Sequence, residues 1–263
     1  MNHRSIYLLL GITFSIISAQ PTFTEHVIST AADGAQSVDA ADLDGDGDID
    51  VVSASGVDDK IAWYENDGAQ NFTEHVISDT ASTVNTIYVA DVDGDGDMDV
   101  LYSGFFYGIG WYENDGSGNF TRYGISGSQG WARTVYAADV DGDGDMDVLN
   151  ESMGALYWYE NDGSQNFEAI FVSDISSNSG ILRSIYAVDV DGDGDMDLLS
   201  ASDVLIPGSD DLSWYENDGS ESFTKHTITS SSDGNRSVYA TDVDGDGDMD
   251  VLTACFFADK IAW

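Results

Sequence analysis

Asp91-Val92-Asp93-Gly94-Asp95-Gly96-Asp97-Met98-Asp99 places five carboxylates and two glycines in nine consecutive positions. Two carboxylates 4 Å apart repel by roughly 4 kcal/mol at an effective dielectric near 20. Such a loop is unfavourable unless a cation sits inside it. The same pattern, D-x-D-G-D-G-D-x-D, recurs at Asp42–Asp50, Asp139–Asp147, Asp189–Asp197 and Asp242–Asp250. The first aspartates of successive copies lie 49, 48, 50 and 53 residues apart. A repeat of this length is the signature of a solenoid or a propeller, in which one supersecondary unit is copied and stacked.

Two further markers keep step with the loops. Trp-Tyr-Glu-Asn-Asp-Gly occurs at Trp63–Gly68, Trp111–Gly116, Trp158–Gly163 and Trp214–Gly219. A phenylalanine, in most copies followed by threonine, opens a later segment at Phe23, Phe72, Phe120, Phe167 and Phe223. Between the markers the second unit reads as four strands: Thr86–Val92, Met98–Ser103, Ile109–Asn114 and Asn119–Ile125. Asp115-Gly116 supplies a tight turn between the last two, because this pair tolerates positive φ. Proline is nearly absent, with two in the chain, so little interrupts the strands. No segment after the N-terminal stretch carries helical periodicity over a helix-forming length. A sheet of four short strands buries its faces only by stacking on copies of itself. The expected fold is therefore an all-β propeller of four-stranded blades with five repeats. Phe23–Thr30 reads as a fourth-strand segment that could complete the last blade and close a five-bladed ring. Against this, Lys260-Ile261-Ala262-Trp263 stops where Lys60-Ile61-Ala62-Trp63 continues, so the alternative expectation is part of a larger, for example seven-bladed, propeller from a longer chain.

The loop chemistry points to a hard divalent cation. In the first copy the side chains of Asp42, Asp44, Asp46 and Asp50, at positions 1, 3, 5 and 9, can converge on one ion. The carbonyl of Asp48 at position 7 adds a ligand while its side chain is expected to face solvent. Gly45 and Gly47 permit the left-handed path. All-oxygen ligation with several carboxylates suits Ca²⁺; Mg²⁺ demands a stricter octahedron, and zinc would want histidine or cysteine. A helical EF-hand is excluded, because it needs a glutamate at position 12, where this chain has Ser53, Tyr102, Asn150, Ser200 and Thr253.

The loops, their period and the flanking strands resemble the FG-GAP/VCBS repeats of integrin-α-like β-propellers, over nearly all of the chain after its first residues. That resemblance implies a loop between the first two strands of each blade, holding one structural Ca²⁺ per repeat. It assigns side-chain ligation to Asp42, Asp44, Asp46 and Asp50; to Asp91, Asp93, Asp95 and Asp99; and to Asp139, Asp141, Asp143 and Asp147. The fourth and fifth loops contribute Asp189, Asp191, Asp193 and Asp197, then Asp242, Asp244, Asp246 and Asp250. The position-7 carbonyls belong to Asp48, Asp97, Asp145, Asp195 and Asp248. The chain departs from the pattern in showing five repeats where integrin-type propellers usually have seven blades, and in lacking the Phe-Gly…Gly-Ala-Pro signature.

Composition bounds partners and location. With 49 acidic and 8 basic residues the formal charge is −41. A field of this sign repels nucleic acid and anionic membrane. Hydrophobic content of 42% supplies a core, so the acidity does not imply disorder. Residues 1–19 read as a secretory signal peptide: Arg4, an apolar run over Ile6–Ser18, and the small Ala19. The run is short for a spanning helix and no basic stop-transfer cluster follows, so the domain expected is 20–263, secreted or at the cell surface, without a transmembrane span. Cys255 is the only cysteine, so no intramolecular disulfide can staple the fold.

Repeated residues read as scaffold; ligand binding is expected from residues that differ between copies. The face opposite the Asp loops would collect Arg133, Arg183 and Arg236 at the starts of three inner strands, with Trp131, Phe105, Phe106, Tyr107, Phe256 and Phe257 beside them. Arginines among aromatics can hold a sugar or an acidic polymer; the plainer alternative is that they pair with acids of the chain. The function expected is a calcium-binding module for adhesion to protein or carbohydrate. The alternatives are a propeller-scaffold polysaccharide lyase or glycoside hydrolase, for which the unrepeated Glu151 is the candidate acid, or a scaffold portion of a larger surface protein.

Overall fold

The computed structural model describes residues 24–106, 108–126, 131–175, 181–203, 211–230 and 234–263. The signal-peptide reading of residues 1–19 and the ligand candidate Tyr107 lie outside them. Among the described residues nineteen strands form five antiparallel sheets in chain order. The first sheet is β1 (Ala35–Ala41), β2 (Asp50–Ser55), β3 (Lys60–Asn66) and β4 (Phe72–Ser78). The second is β5 (Val84–Ala90), β6 (Asp99–Gly104), β7 (Gly108–Asn114) and β8 (Phe120–Gly124). The third is β9 (Ala132–Ala138), β10 (Asp147–Ser152), β11 (Ala155–Asn161) and β12 (Phe167–Asp174). The fourth is β13 (Ile181–Val188), β14 (Asp197–Asp203), β15 (Leu212–Asn217) and β16 (Phe223–Thr229). The fifth has three strands, β17 (Asn235–Thr241), β18 (Asp250–Cys255) and β19 (Lys260–Ala262). Each sheet is a meander, as expected of a propeller blade, and the strands of the second fall within two residues of the bounds read from sequence.

The core lies between blades. Leu43, Val52, Ala54 and Trp63 of the first blade pack on Val84, Ile87, Val100 and Tyr102 of the second, and equivalent clusters follow between the next pairs. Trp63, Trp111 and Trp158 are buried at this seam, the packing role their repetition implied. Middle strands such as β6 are buried on both faces, so their sequence runs apolar without strict alternation. The inner strands β1, β5, β9, β13 and β17 pack side by side in chain order.

One expectation fails. Within the described part of Phe23–Thr30, residues 24–30 form no strand and are mostly exposed, and the fifth sheet ends at β19. A fourth-strand segment needs a neighbouring third strand to satisfy its ladder, and β19 spans three residues. Among the described residues nothing joins the first sheet to the fifth as a shared blade. Val38 on β1 is 69% exposed, whereas its counterparts Ile87, Val135, Ile185 and Val238 are at most 5% exposed against the preceding blade.

Candidate metal centres and the opposite face

Each Asp loop joins the first two strands of its blade. In the first loop the Asp42 carboxylate accepts hydrogen bonds from Gly45 N (2.9 Å) and Gly47 N (3.0 Å). Asp44 Oδ1 accepts from Asp46 N and Asp46 Oδ1 from Asp48 N. The same bonds recur in the third, fourth and fifth loops. They curl the backbone around the carboxylates. Gly45 and Gly47 sit at φ 74° and 95°. A Cβ there would meet nothing within 4 Å, so glycine is required by conformation and not by space.

Oxygens of Asp42, Asp44 and Asp50 converge within 4.8 Å of one another, as do those of Asp91, Asp93 and Asp99, of Asp139, Asp141 and Asp147, and of Asp189, Asp191 and Asp197. These are positions 1, 3 and 9. In the fifth loop the trio is Asp242, Asp244 and Asp246, at positions 1, 3 and 5. The position-5 residues Asp46, Asp95, Asp143 and Asp193 are exposed and stand outside the trios of their loops. The donor set fits a cation: it is all oxygen, and Asp91 Oδ1 is a buried acceptor with no hydrogen-bond partner.

Position 9 carries two roles. Asp99 is fully buried, and its two oxygens accept from Val92 N (2.9 Å) in the loop and Asn114 N (2.8 Å) at the end of β7. Burial pushes its pKa up to about 7 and that of Asp147 up to about 6; Asp50 and Asp197 are raised by the same cause. A buried carboxylate among others resists ionising alone, so a cation at the trio would offset the cost of its charge.

Two features of these loops were missed in the sequence. In the first four loops the position-7 side chain is half-buried, whereas Asp248 of the fifth is exposed. Asp48, Asp97, Asp145 and Asp195 lie against Gly68, Gly116, Gly163 and Gly219, where a Cβ would overlap the carboxylate. The reason is topological: the turn between the third and fourth strands lies at the same end of the blade as the Asp loop. The asparagine of Trp-Tyr-Glu-Asn-Asp-Gly is an interblade staple. Asn114 Nδ2 donates to Leu43 O in the preceding blade's loop (2.6 Å) and to Met98 O in its own (3.1 Å). Asn161 bonds Val92 O and Met146 O, and Asn217 bonds Val140 O and Met196 O, in the same way. Repetition of the motif signalled that the asparagine matters; its partner, some 70 residues away, was not readable.

At the other end of the blades the pairing of the first two strands slips at the same place in every sheet, leaving Gln36, Asn85, Arg183 and Arg236 unpaired and Arg133 and Thr134 opposite Glu151. A β-bulge of this kind re-aims a side chain. Arg183 and Arg236 pair closely with an acid of the chain, and Arg133 approaches one. Arg183 Nη2 lies 3.2 Å and Arg236 Nε 3.1 Å from Asp203 Oδ2, and Arg133 Nε is 4.0 Å from Glu151 Oε2. Glu151 and Asp203 are buried beneath them. Burial raises the pKa of Glu151, but its place under Arg133, with Oε1 taken by Gly154 N, makes it a support for the arginine rather than an acid presented to a substrate. Arg236 also lies over the Phe256 ring at 4.6 Å, and Arg133 is 5.9 Å from the Trp131 ring. Trp131 stacks on Phe105 at 4.8 Å, and Phe105 and Phe256 make edge contacts with Phe106 and Phe257.

Residues 42–102, 101–150, 149–200 and 201–253 match the FG-GAP-like repeat. No curated protein matches the chain in sequence. Among solved structures, the chain is similar to the V. cholerae biofilm matrix protein Bap1, with a TM-score of 0.51 and 18% identity over 88% of this chain and 37% of that one. It thus spans little more than a third of that protein's length. A lectin of Agrocybe aegerita that recognises non-reducing terminal N-acetylglucosamine matches at a TM-score of 0.47 and 17% identity, covering 82% of this chain and 73% of the lectin. An endo-arabinase from Bacteroides thetaiotaomicron VPI-5482 matches at a TM-score of 0.49 and 12% identity, covering 78% and 84%. Among the described residues no helix is long and apolar enough to cross a membrane.

Proposed function

Since the chain belongs to the FG-GAP-like repeat family, we propose that it is an exported, calcium-stabilised β-propeller module that binds a carbohydrate or protein partner through the face opposite its Asp loops. The observation that carries this reading is an all-oxygen carboxylate trio in each of the five Asp loops, at positions 1, 3 and 9 in four of them. Calcium at the trios would neutralise their charge and fix the loops; the position-9 aspartate and the asparagine staple would pass that order to the blade and its neighbour. The role assigned to calcium is structural, since five equivalent loops offer no single reaction centre.

Export is supported by the apolar N-terminal run and by the chemistry of the loops. Extracellular calcium modules work at dissociation constants of about 10⁻⁴–10⁻³ M, concentrations met outside cells. A module of this kind can act alone or as part of a longer surface protein. The test is equilibrium dialysis of the purified chain against calcium at neutral pH. About one bound ion per loop is expected, with little magnesium taken up at equal concentration. Uptake of no calcium at millimolar concentration would remove the basis of the proposal.

A further inference from the structure

We propose that the bulged edge around Arg133 and Trp131 seats one carboxylated sugar residue, a uronate, carried in an otherwise neutral glycan. The inference rests on the binding-module reading above and names the ligand class and the seat.

Three observations converge there. The first is unused donor capacity. Among the described residues Arg133 makes a single charged contact, the 4.0 Å approach of Nε to Glu151; Glu151 Oε2 itself takes no hydrogen bond. The guanidinium is thus held by charge, and no described residue fills its donors. Arg183 and Arg236, by contrast, both close on Asp203 at 3.1–3.2 Å. A carboxylate is the planar partner that a guanidinium fork matches.

The second is local charge. From β9 to β17 the inner-strand arginines and the acids beneath them run Arg133, Glu151, Arg183, Asp203, Arg236, so these five side chains carry one positive charge in excess on a chain of −41. That combination selects the ligand. A densely charged polymer gains one good contact and meets the repulsion of the whole molecule. A neutral glycan carrying an occasional carboxylate keeps the contact and avoids most of the repulsion. The same argument disfavours an acidic peptide with consecutive charges.

The third is an apolar platform. Trp131 is 52% exposed and rests flat on Phe105, which Phe106, 63% exposed, meets edge-on. An exposed indole braced from behind presents an ordered face for the C–H side of a sugar ring, 5.9 Å from the guanidinium that would take the ring's carboxylate.

Isothermal titration of the calcium-loaded chain tests this with three probes: an oligosaccharide alternating glucuronic acid with a neutral sugar, its carboxyl-reduced form, and a poly-aspartate peptide. The uronate oligosaccharide is expected to bind, and to bind about tenfold more weakly after carboxyl reduction, the scale of losing one charge-assisted pair. Arg133→Gln should weaken it by the same factor and Arg133→Lys by less. Trp131→Ala should weaken both oligosaccharides, and Lys225→Gln neither. Each variant's melting temperature shows that it folds. Absence of uronate binding, equal binding of the reduced form or the peptide, or full affinity in folded Arg133→Gln would each overturn the proposal. Calcium uptake by dialysis reports on the module separately, so a filled chain that ignores uronate rejects this seat and leaves that reading standing.

Discussion

Asn114 is the residue on which two blades and two loops meet. Its side chain is buried and bonds carbonyls of both Asp loops, so truncation takes the donor from the buried Leu43 O and from the part-buried Met98 O. Asn114→Ala is expected to destabilise the calcium-loaded chain by about 1–3 kcal/mol in denaturant unfolding. Among the described residues Asn66 Nδ2 donates only to Ile49 O in its own loop, and its Oδ1 accepts from Gly68 N; with no bond to another blade at stake, Asn66→Ala should cost clearly less. Equal losses would show that the interblade bond carries no weight. Gly116 makes a second residue-scale test. It sits at φ 72° against the Asp97 carboxylate, and Gly116→Ala combines backbone strain with overlap. A loss of at least about 1 kcal/mol is expected, whereas a neutral substitution would contradict the packed position of Asp97. Neither contact could be read from the chain: a repeated letter shows that a position is used, and only the fold shows against what.

At the scale of the Asp loop, protons and calcium compete for the same carboxylates. In the calcium-stripped fold Asp99 holds its proton up to about pH 7, against 3.8 for the ordinary group, because it is buried. Between those values the folded chain binds more protons than the unfolded one, so stability falls as pH rises. Repulsion within the trios has the same sign. The stripped chain should therefore melt lower at pH 7.5 than at pH 5.5, and saturating calcium should remove or reverse that difference. A stripped chain that gains stability over this range would contradict the assignment. The loop was legible in sequence because spacing, carboxylates and glycines state its chemistry directly. The division of labour inside it was not: positions 1, 3 and 9 converge while position 5 stands off in four loops, and position 9 is tied to β7 through backbone that the motif does not contain.

Across the whole molecule, blade stacking replaces a single enclosed core, and the loops lie at one end of every seam. The period and the Trp-Tyr-Glu-Asn-Asp-Gly marker made the blade architecture readable, since apolar positions recurring in step require like surfaces to meet. Segment 24–30 was misread because its letters match a fourth strand, while strand formation depends on a partner that the segment does not find. The arginines of the opposite face were placed correctly at the strand starts, but their acids, Glu151 and Asp203, come from other strands. Whether calcium holds these blades together is decided by scanning calorimetry of the purified chain at pH 7.5 with millimolar calcium and with excess chelator. A large fall in melting temperature on chelation is expected, restored by calcium and not by equal magnesium; an unchanged melting temperature would show that the blades stand without calcium.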